Sequence, residues 1–113
     1  MMKIAVPSAN GMMCPHFGHC EQFFIFDVDK DSKMIKNVEQ ITPPPHEPGL
    51  LPRWLGEKKV NLIIAGGMGV RAQSLFMQNG IEVITGAQAA TPEELVQDWM
   101  GGSLETGENA CDH

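Results

Sequence analysis

A short apolar stretch that breaks into glycines and then opens a helical pattern constrains this chain most. Residues 62–65 are LIIA, and Arg71 stands near the start of the helical pattern that follows. Between them lie Gly66, Gly67, Met68 and Gly69. A buried strand that leads through glycines into a helix exposes backbone N–H groups at the positive end of the helix dipole, and glycine lets a ligand approach the backbone closely. Because the guanidinium of Arg71 adds a permanent positive charge, the stretch predicts an anion-binding loop.

The hydrophobic pattern predicts strands and helices in the order βββαβαβα. The predicted strands span residues 2–7, 21–28, 33–41, 62–65 and 81–85, and the predicted helices span 50–59, 69–79 and a segment that begins at a capping box, 91–94. Residues 8–17 are predicted to be a loop because they contain Asn10-Gly11 and Pro15. The first three strands can form an antiparallel meander, whereas the later ones need helical crossovers and run parallel. The fold class is therefore α/β, with helices packed on a mixed five-stranded sheet.

The length and the charge of the chain limit its organisation and its partners. A chain of 113 residues can form one core, so we expect a single domain over 1–102 and a loose polar tail over 103–113. The formal charge is −6 and no basic run is present, which argues against nucleic acid as a partner. No apolar run is long enough to span a bilayer, and the first residues lack the long apolar stretch of a secretory signal. We therefore expect a cytoplasmic protein without a membrane partner.

Strand direction is expected to bring soft metal ligands to the glycine loop. If the first and fourth predicted strands are neighbours, the chain leaves them in opposite directions and a crevice opens at their carboxyl ends. The loops that share this edge carry Cys14, His16, His19, Cys20 and His46, and the tail carries Cys111 and His113. Thiolate favours copper(I), zinc and iron–sulfur species, and imidazole suits zinc, copper and iron. An anionic metal–sulfur cluster would be matched by soft donors, N–H groups and an arginine at the same edge.

Several short motifs, taken together in order and spacing, resemble the dinitrogenase iron–molybdenum cofactor biosynthesis family over nearly the whole chain. The motifs are Pro15-His16-Phe17-Gly18, His46-Glu47-Pro48-Gly49, Leu51-Pro52, Trp54-Leu55, Ile64-Ala65-Gly66-Gly67-Met68-Gly69, Arg71-Ala72, Gly80-Ile81-Glu82-Val83 and Cys111-Asp112-His113. The resemblance implies a ribonuclease H-like, three-layer α/β/α fold. It also implies a non-catalytic carrier of iron–molybdenum cofactor or its precursors, with a protein partner for delivery. Small single-domain members include the orange protein, which carries a molybdenum–copper sulfide cluster.

The resemblance also suggests which residues contact a molybdenum-containing cluster with iron or copper. Residues that match family motifs or lie beside them are expected to bind the cluster: His16, Gly18, His46, Gly66, Gly67, Met68, Gly69 and Arg71. The candidate metal ligands are Cys14, His19, Cys20, Cys111 and His113. Of these, Cys111 and His113 match the common ending of the family, whereas the other three would mark a subtype.

Other interpretations of the same residues remain open. The glycines can serve tight strand–helix packing, Arg71 can pair with a carboxylate, and the cysteines can form a zinc site or sense redox state in a regulatory, partner-binding module. Residues 67–72 fit a dinucleotide motif, but the loop follows the fourth predicted strand and no acidic residue follows the next one. Two-metal nuclease chemistry needs clustered carboxylates, and the first strand, KIAVP, carries none. A Cys–His nucleophile would need a third, orienting group, which is not evident.

Overall fold

The computed structural model describes residues 2–9, 11–13, 22–42, 50–87, 90–102 and 104. Within this part of the chain the strands are β1 (Met2–Ala9), β2 (Met12–Met13), β3 (Gln22–Asp29), β4 (Met34–Ile41), β5 (Leu62–Ile64) and β6 (Glu82–Ile84). The helices are α1 (Leu50–Glu57), α2 (Val70–Gln78) and α3 (Pro92–Gly101). The predicted elements are all present, with ends that differ from the predictions by at most two residues.

One mixed sheet runs through the molecule in the order β4-β3-β1-β5-β6. β3 is antiparallel to both β1 and β4, whereas β5 is parallel to β1 and β6 is parallel to β5. The predicted meander of the first three strands and the neighbouring position of the first and fourth are therefore confirmed. β3 is rich in Phe, Ile and Val and β5 consists of Leu and Ile, and the buried positions of β1, β3 and β5 alternate or run continuously, as expected for central strands.

A sixth strand, β2, was not predicted, because residues 8–17 were assigned to a loop. Gly11 has a φ of +79°, a conformation that glycine adopts without strain, and here the chain reverses. Met12 and Met13 then pair antiparallel with Ala9 and Ser8. The observed order of elements is therefore ββββαβαβα, with β2 added beside the five predicted strands.

The sheet separates two hydrophobic clusters, so the fold has three layers. One cluster joins the sheet to α1 and α2 and includes Phe23, Ile25, Leu55, Ile63, Met68 and Phe76. The other joins the opposite face to α3 and includes Ile4, Val6, Phe26, Leu62, Ile64, Leu95 and Val96. The two tryptophans are half-buried: Trp54 packs edge-on against Phe23 at 6.0 Å between ring centroids, and Trp99 packs against the cluster on the α3 side.

The ends of the helices follow the capping signals in the sequence. The Thr91 hydroxyl accepts a hydrogen bond from the backbone N–H of Glu94 at 3.3 Å, and Pro92 occupies the first turn of α3. α2 ends at Asn79 and Gly80, where Gly80 has a φ of +76°. Gly102 ends α3 in the left-handed conformation. Within the described residues, no helix is long and apolar enough to cross a membrane.

Candidate functional site

The carboxyl ends of β1 and β5 define the candidate site. The two strands are parallel neighbours. After β1 and the short β2, the next long strand, β3, lies on one side of this pair, whereas β6, which follows β5, lies on the other side. This arrangement creates a topological switch point, where ligands bind in open α/β sheets. β4 and β6 run in the same direction as β1 and β5, so the segments after these four strands share one edge, as the sequence predicted.

The short strand β2 lies at this edge of the sheet, next to the end of β1. Ser8 pairs with Met13 of β2 and with Gln22 of β3, so β2 lies on the side of β1 that faces β5. The N–H of Met13 donates to the carbonyl oxygen of Ala90 at 2.9 Å. Ser8 is the one buried polar residue in the described part of the chain, and its hydroxyl donates to the Gln22 carbonyl at 3.3 Å. The end of β1 is thereby tied to β3 and, through β2, to the segment before α3.

The first half of the glycine loop continues the sheet beyond β5. The backbone N–H of Ala65 donates to the carbonyl oxygen of Ile84 at 2.8 Å. In the other direction, the N–H of Gly86 donates to the carbonyl oxygen of Gly66 at 2.6 Å, and the N–H of Ala87 donates to that of Ala65 at 3.2 Å. Gly66 and Gly67 are both buried. This half of the loop is therefore held by the segment that follows β6.

The second half of the loop is held by the α1–α2 side of the core. The Met68 side chain is 1% exposed and belongs to the cluster under α1 and α2. The side-chain amide of Gln73 donates to the Met68 carbonyl at 2.9 Å, and the backbone N–H of Gln73 donates to Gly69 at 3.1 Å. The Met68 side chain is therefore a core anchor of the loop, and contact of its backbone with a ligand stays a prediction.

Gly69 leaves open space at the start of α2. It is the N-cap residue, with φ −63° and ψ 154°, and any residue can adopt these angles. A Cβ added at this position would meet no atom within 4 Å. Neither backbone strain nor packing within the described residues requires glycine here, so tight packing does not account for Gly69. The first N–H groups of α2 have no acceptor within the helix, and the N-cap residue, Gly69, has no side chain that could cap them.

The charge around this helix start favours an anion. Arg71 is exposed in the first turn of α2, and this turn contains no acidic residue. The pairing of Arg71 with a carboxylate, left open from the sequence, finds no partner among the described residues, where the ion pair formed is that of Lys3 and Asp27. The positive end of the α2 dipole therefore lies beside a guanidinium that forms no ion pair with a described residue.

The predicted soft ligands lie outside the described residues. These are Cys14, His16, His19, Cys20, His46, Cys111 and His113, which are all the cysteines and histidines of the chain, and Gly18, an expected cluster contact, lies outside as well. Within the described part, no three His, Cys, Asp or Glu side chains come together to hold a metal ion. The glycine loop and Arg71 are thus the predicted site residues that the structure brings together, and the metal ligands stay a prediction.

Sequence reasoning missed two features of this edge. The Asn10-Gly11 pair is a strong signal for a tight hairpin, and it would have revealed β2. Gln73 carries no comparable signal, because a glutamine in the first turns of a helix is ordinary. Its hydrogen bond to the Met68 carbonyl depends on the path that the loop takes before α2, and this path is known only from the structure.

The fold and the site define a class of protein: a small α/β domain with a mixed sheet and a glycine loop at the topological switch point. Residues 1–102 match the model of a family described as dinitrogenase iron-molybdenum cofactor, and the chain belongs to this family. The resemblance found in the sequence motifs is therefore confirmed. The family is connected with biosynthesis of the iron–molybdenum cofactor.

Individual relatives agree over nearly the full length. The chain is 35% identical over 110 residues to the uncharacterized protein MJ0580 of Methanocaldococcus jannaschii, covering 93% of this chain and 91% of that protein. The crystal structure of PH0822 superposes with a TM-score of 0.85 at 28% identity, over 93% of this chain and 94% of that one. The apo form of the orange protein from Desulfovibrio gigas has the same fold, with a TM-score of 0.72 at 22% identity over 96% and 95% of the two chains.

Proposed function

We propose that this protein binds and carries an anionic, molybdenum-containing metal–sulfur cluster and does not itself catalyse a reaction. The cargo is either a precursor of the iron–molybdenum cofactor or a molybdenum–copper sulfide. The observation that carries the proposal is the open, uncapped start of α2 at Gly69, with Arg71 beside it and no acidic residue in the same turn. Membership of the family supports the same class of cargo.

The chemistry of the helix start suits such a cargo. Cluster sulfides are anionic acceptors, and the backbone N–H groups of the first turn of α2 are donors without intrahelical acceptors. Gly69 keeps the space above them free of a Cβ. Arg71 supplies a guanidinium, a positive charge with five N–H donors.

The helix start alone would hold a cluster weakly. An anion at a helix N-terminus gains about 0.3–1 kcal/mol per charge at an exposed position, and this is far below the free energy of tight binding. We therefore propose that soft ligands complete the site. They are Cys14, His19, Cys20, Cys111 and His113, with contacts from His16, Gly18, His46, Gly66 and Gly67.

The proposal also includes the bounds of the binding domain, the location of the protein and its partners. We propose that residues 1–102 are the cluster-binding domain, with the ribonuclease H-like fold of the family, and that the tail, 103–113, supplies Cys111 and His113. The protein would act in the cytoplasm and pass the cluster to a protein partner, without nucleic acid or membrane. The charge of −6 supports the exclusion of nucleic acid.

Uptake of tetrathiomolybdate, with and without copper, tests the function. Protein purified anaerobically and without an affinity tag is mixed with the reagent, desalted, and measured by elemental analysis and visible absorption. We expect molybdenum and sulfide to stay with the protein and charge-transfer bands to develop; copper or iron in the isolated protein would define the type of cluster. Colourless protein that retains no molybdenum would contradict the proposal, and a thiol count that changes on mild oxidation would then favour a redox-sensing module.

A further inference from the structure

The outer strand β4 is long, and most of its residues are exposed to solvent. It spans eight residues and pairs, within the described part of the chain, with β3 alone. Six of its residues are exposed and the other two, Ile35 and Ile41, are half-buried. Two large apolar side chains face water, since Met34 is 53% and Val38 is 48% exposed. The other outer strand, β6, is only three residues long. A long edge with unpaired backbone groups is a template for another strand.

Two features of β4 restrict which strand can pair with it. Asp27 and Val28 are consecutive on β3 but pair with Asn37 and Ile35, so Lys36 is an extra, bulged residue. β4 also carries one charge of each sign, Lys36 and Glu39. Bulges and charges normally block edge-to-edge pairing, and a partner strand must therefore accommodate both.

We propose that β4 pairs antiparallel with β4 of a second copy of this chain, about a two-fold axis at Val38. In this register Val38 faces Val38 of the second copy. Moving outward, Asn37 faces Glu39 of the second copy, and the bulged Lys36 then lies beside that same Glu39. Beyond the bulge Ile35 faces Gln40, and Met34 faces Ile41.

The register preserves the two faces of the sheet, which is the main geometric requirement. Residues directly opposite one another in an antiparallel pair project to the same face. Ile41 packs on the α1–α2 side and Ile35 on the α3 side. Alternation places Asn37 and Glu39 on the first side and Val38 and Gln40 on the second, as each proposed pair needs. The bulge shifts the alternation by one residue, and this shift lets Ile35 face Gln40.

Charge complementarity selects the second copy as the partner. Between the two β4 strands, the symmetric pairing forms two Lys36–Glu39 contacts and places no like charges opposite one another. β4 is neutral, although each copy carries a net charge of −6. Opposite charges on neighbouring strands stabilise a pair only modestly, so the contacts mainly select the register, and the added backbone hydrogen bonds and the apolar contacts supply most of the affinity.

An apolar groove beside Val38 adds surface to the same interface. It has a volume of about 240 Å³, and Val38 lines it together with Phe24, Phe26 and Pro92, with Thr91 and Glu93 among its other lining residues. Phe24 and Phe26 stack with 6.3 Å between their centroids. The two-fold axis brings the grooves of the two copies together on the α3 side. The glycine loops then lie at opposite ends of the joined sheet, because β4 and its partner are antiparallel, so each copy keeps its own loop.

Charge reversal and its rescue test the interface. The dimer dissociation constant is measured by sedimentation velocity over a concentration series for the full chain and three variants: Lys36→Glu, Glu39→Lys and the double exchange. Each single change replaces two attractive contacts with two repulsive ones, so we expect it to weaken the dimer about tenfold. The double exchange should restore the dissociation constant of the unmodified chain.

Glu82→Lys is the matched control, because Glu82 is an exposed glutamate on the opposite outer strand. It should leave the dissociation constant unchanged. All of these side chains are exposed, and circular dichroism of each variant verifies the fold. A chain that stays monomeric over the whole series would overturn the proposal. Dimerisation of the single variants with unchanged affinity would also overturn it, as would failure of the double exchange to restore the dimer.

Discussion

The side-chain amide of Gln73 donates a 2.9 Å hydrogen bond to the backbone carbonyl of Met68. The backbone N–H of Gln73 also donates to Gly69, so one residue of α2 holds two consecutive residues of the glycine loop. Met68 is at the same time buried in the core under α1 and α2. The loop is thus held in place before a ligand arrives, and a preorganised loop loses little conformational entropy on binding.

Replacement of Gln73 by alanine tests whether this hydrogen bond shapes the loop. We expect Gln73→Ala to lower the free energy of unfolding by about 1 kcal/mol, the usual contribution of one hydrogen bond. It should also speed the loss of thiomolybdate after desalting, because the loop becomes less ordered. Denaturant unfolding and a timed molybdenum assay measure the two effects.

Gln78→Ala is the control, since Gln78 lies on the same helix and its amide, among the described residues, contacts the exposed Ser74 at 3.5 Å. Unchanged retention in Gln73→Ala, together with the stability loss, would show that the hydrogen bond supports the fold alone.

Gly69 offers a test with two side chains of nearly equal shape. Both Gly69→Asn and Gly69→Asp fit the open space at the N-cap, and both are favoured N-cap residues. We expect each to keep or slightly raise stability, by a few tenths of a kcal/mol. Asp places a negative charge where the cluster is proposed to bind and should abolish thiomolybdate uptake, whereas Asn should reduce it less. Equal uptake by the Asp and Asn variants would contradict an anion at this helix start.

Arg71→Gln tests the positive charge separately from the backbone. The side chain is exposed and makes no ion pair with a described residue, so stability should change by less than about 0.5 kcal/mol. Cluster retention should fall, and the difference from the unmodified protein should shrink at high salt because salt screens the charge. Arg53→Gln, an exposed arginine on α1, is the control. Retention in Arg71→Gln that equals the control at low and high salt would remove Arg71 from the site.

Replacement of Cys14 and Cys20 together by serine tests direct ligation. If these thiolates bind the metal, the double variant should retain much less molybdenum than the unmodified protein, because a serine hydroxyl is a poor ligand for soft metals. Elemental analysis after desalting measures the effect. Full retention without both thiols would mean that other groups hold the cluster.

The pair of Lys3 and Asp27 gives a pH dependence of stability. The Lys3 ammonium donates to the Asp27 carboxylate at 2.9 Å, and this hydrogen bond lowers the pKa of Asp27 below its ordinary value of 3.8, with a smaller contribution from Asn37. Because the folded-state pKa is depressed, the stabilisation is fully present above pH 3.8 and is lost as the pH falls through the folded-state value.

Asp27→Asn should therefore lower the free energy of unfolding at neutral pH by roughly 0.2–1 kcal/mol, the range for partly exposed pairs. The difference from the unmodified protein should disappear in acid, below the depressed pKa. Urea unfolding at a series of pH values measures it, with Asp31→Asn as a control for loss of an exposed charge. A difference that stays constant from neutral pH into acid would contradict the ion pair as its cause.

The local part of this structure was predictable from the sequence. Thr91-Pro92 began α3, Asn79-Gly80 ended α2, and the apolar residues 62–64 formed a buried strand, since capping, turn chemistry and hydrophobic periodicity act within a few residues of chain. The neighbouring position of β1 and β5 also followed, because connection rules leave few topologies for this order of elements. The family resemblance rested on motifs of the same short range.

Tertiary structure decided which chemical groups these elements bring to one place. The sequence alone left open whether the glycines serve packing or binding. The fold distinguishes them, since Gly66 and Gly67 are buried while Gly69 faces open space. Nor does the sequence show that Met68 enters the core while Gln73 holds its carbonyl, or that six of the eight residues of β4 are exposed. These relationships depend on contacts between segments distant in the chain or on the path of a turn, and residue type alone does not determine them.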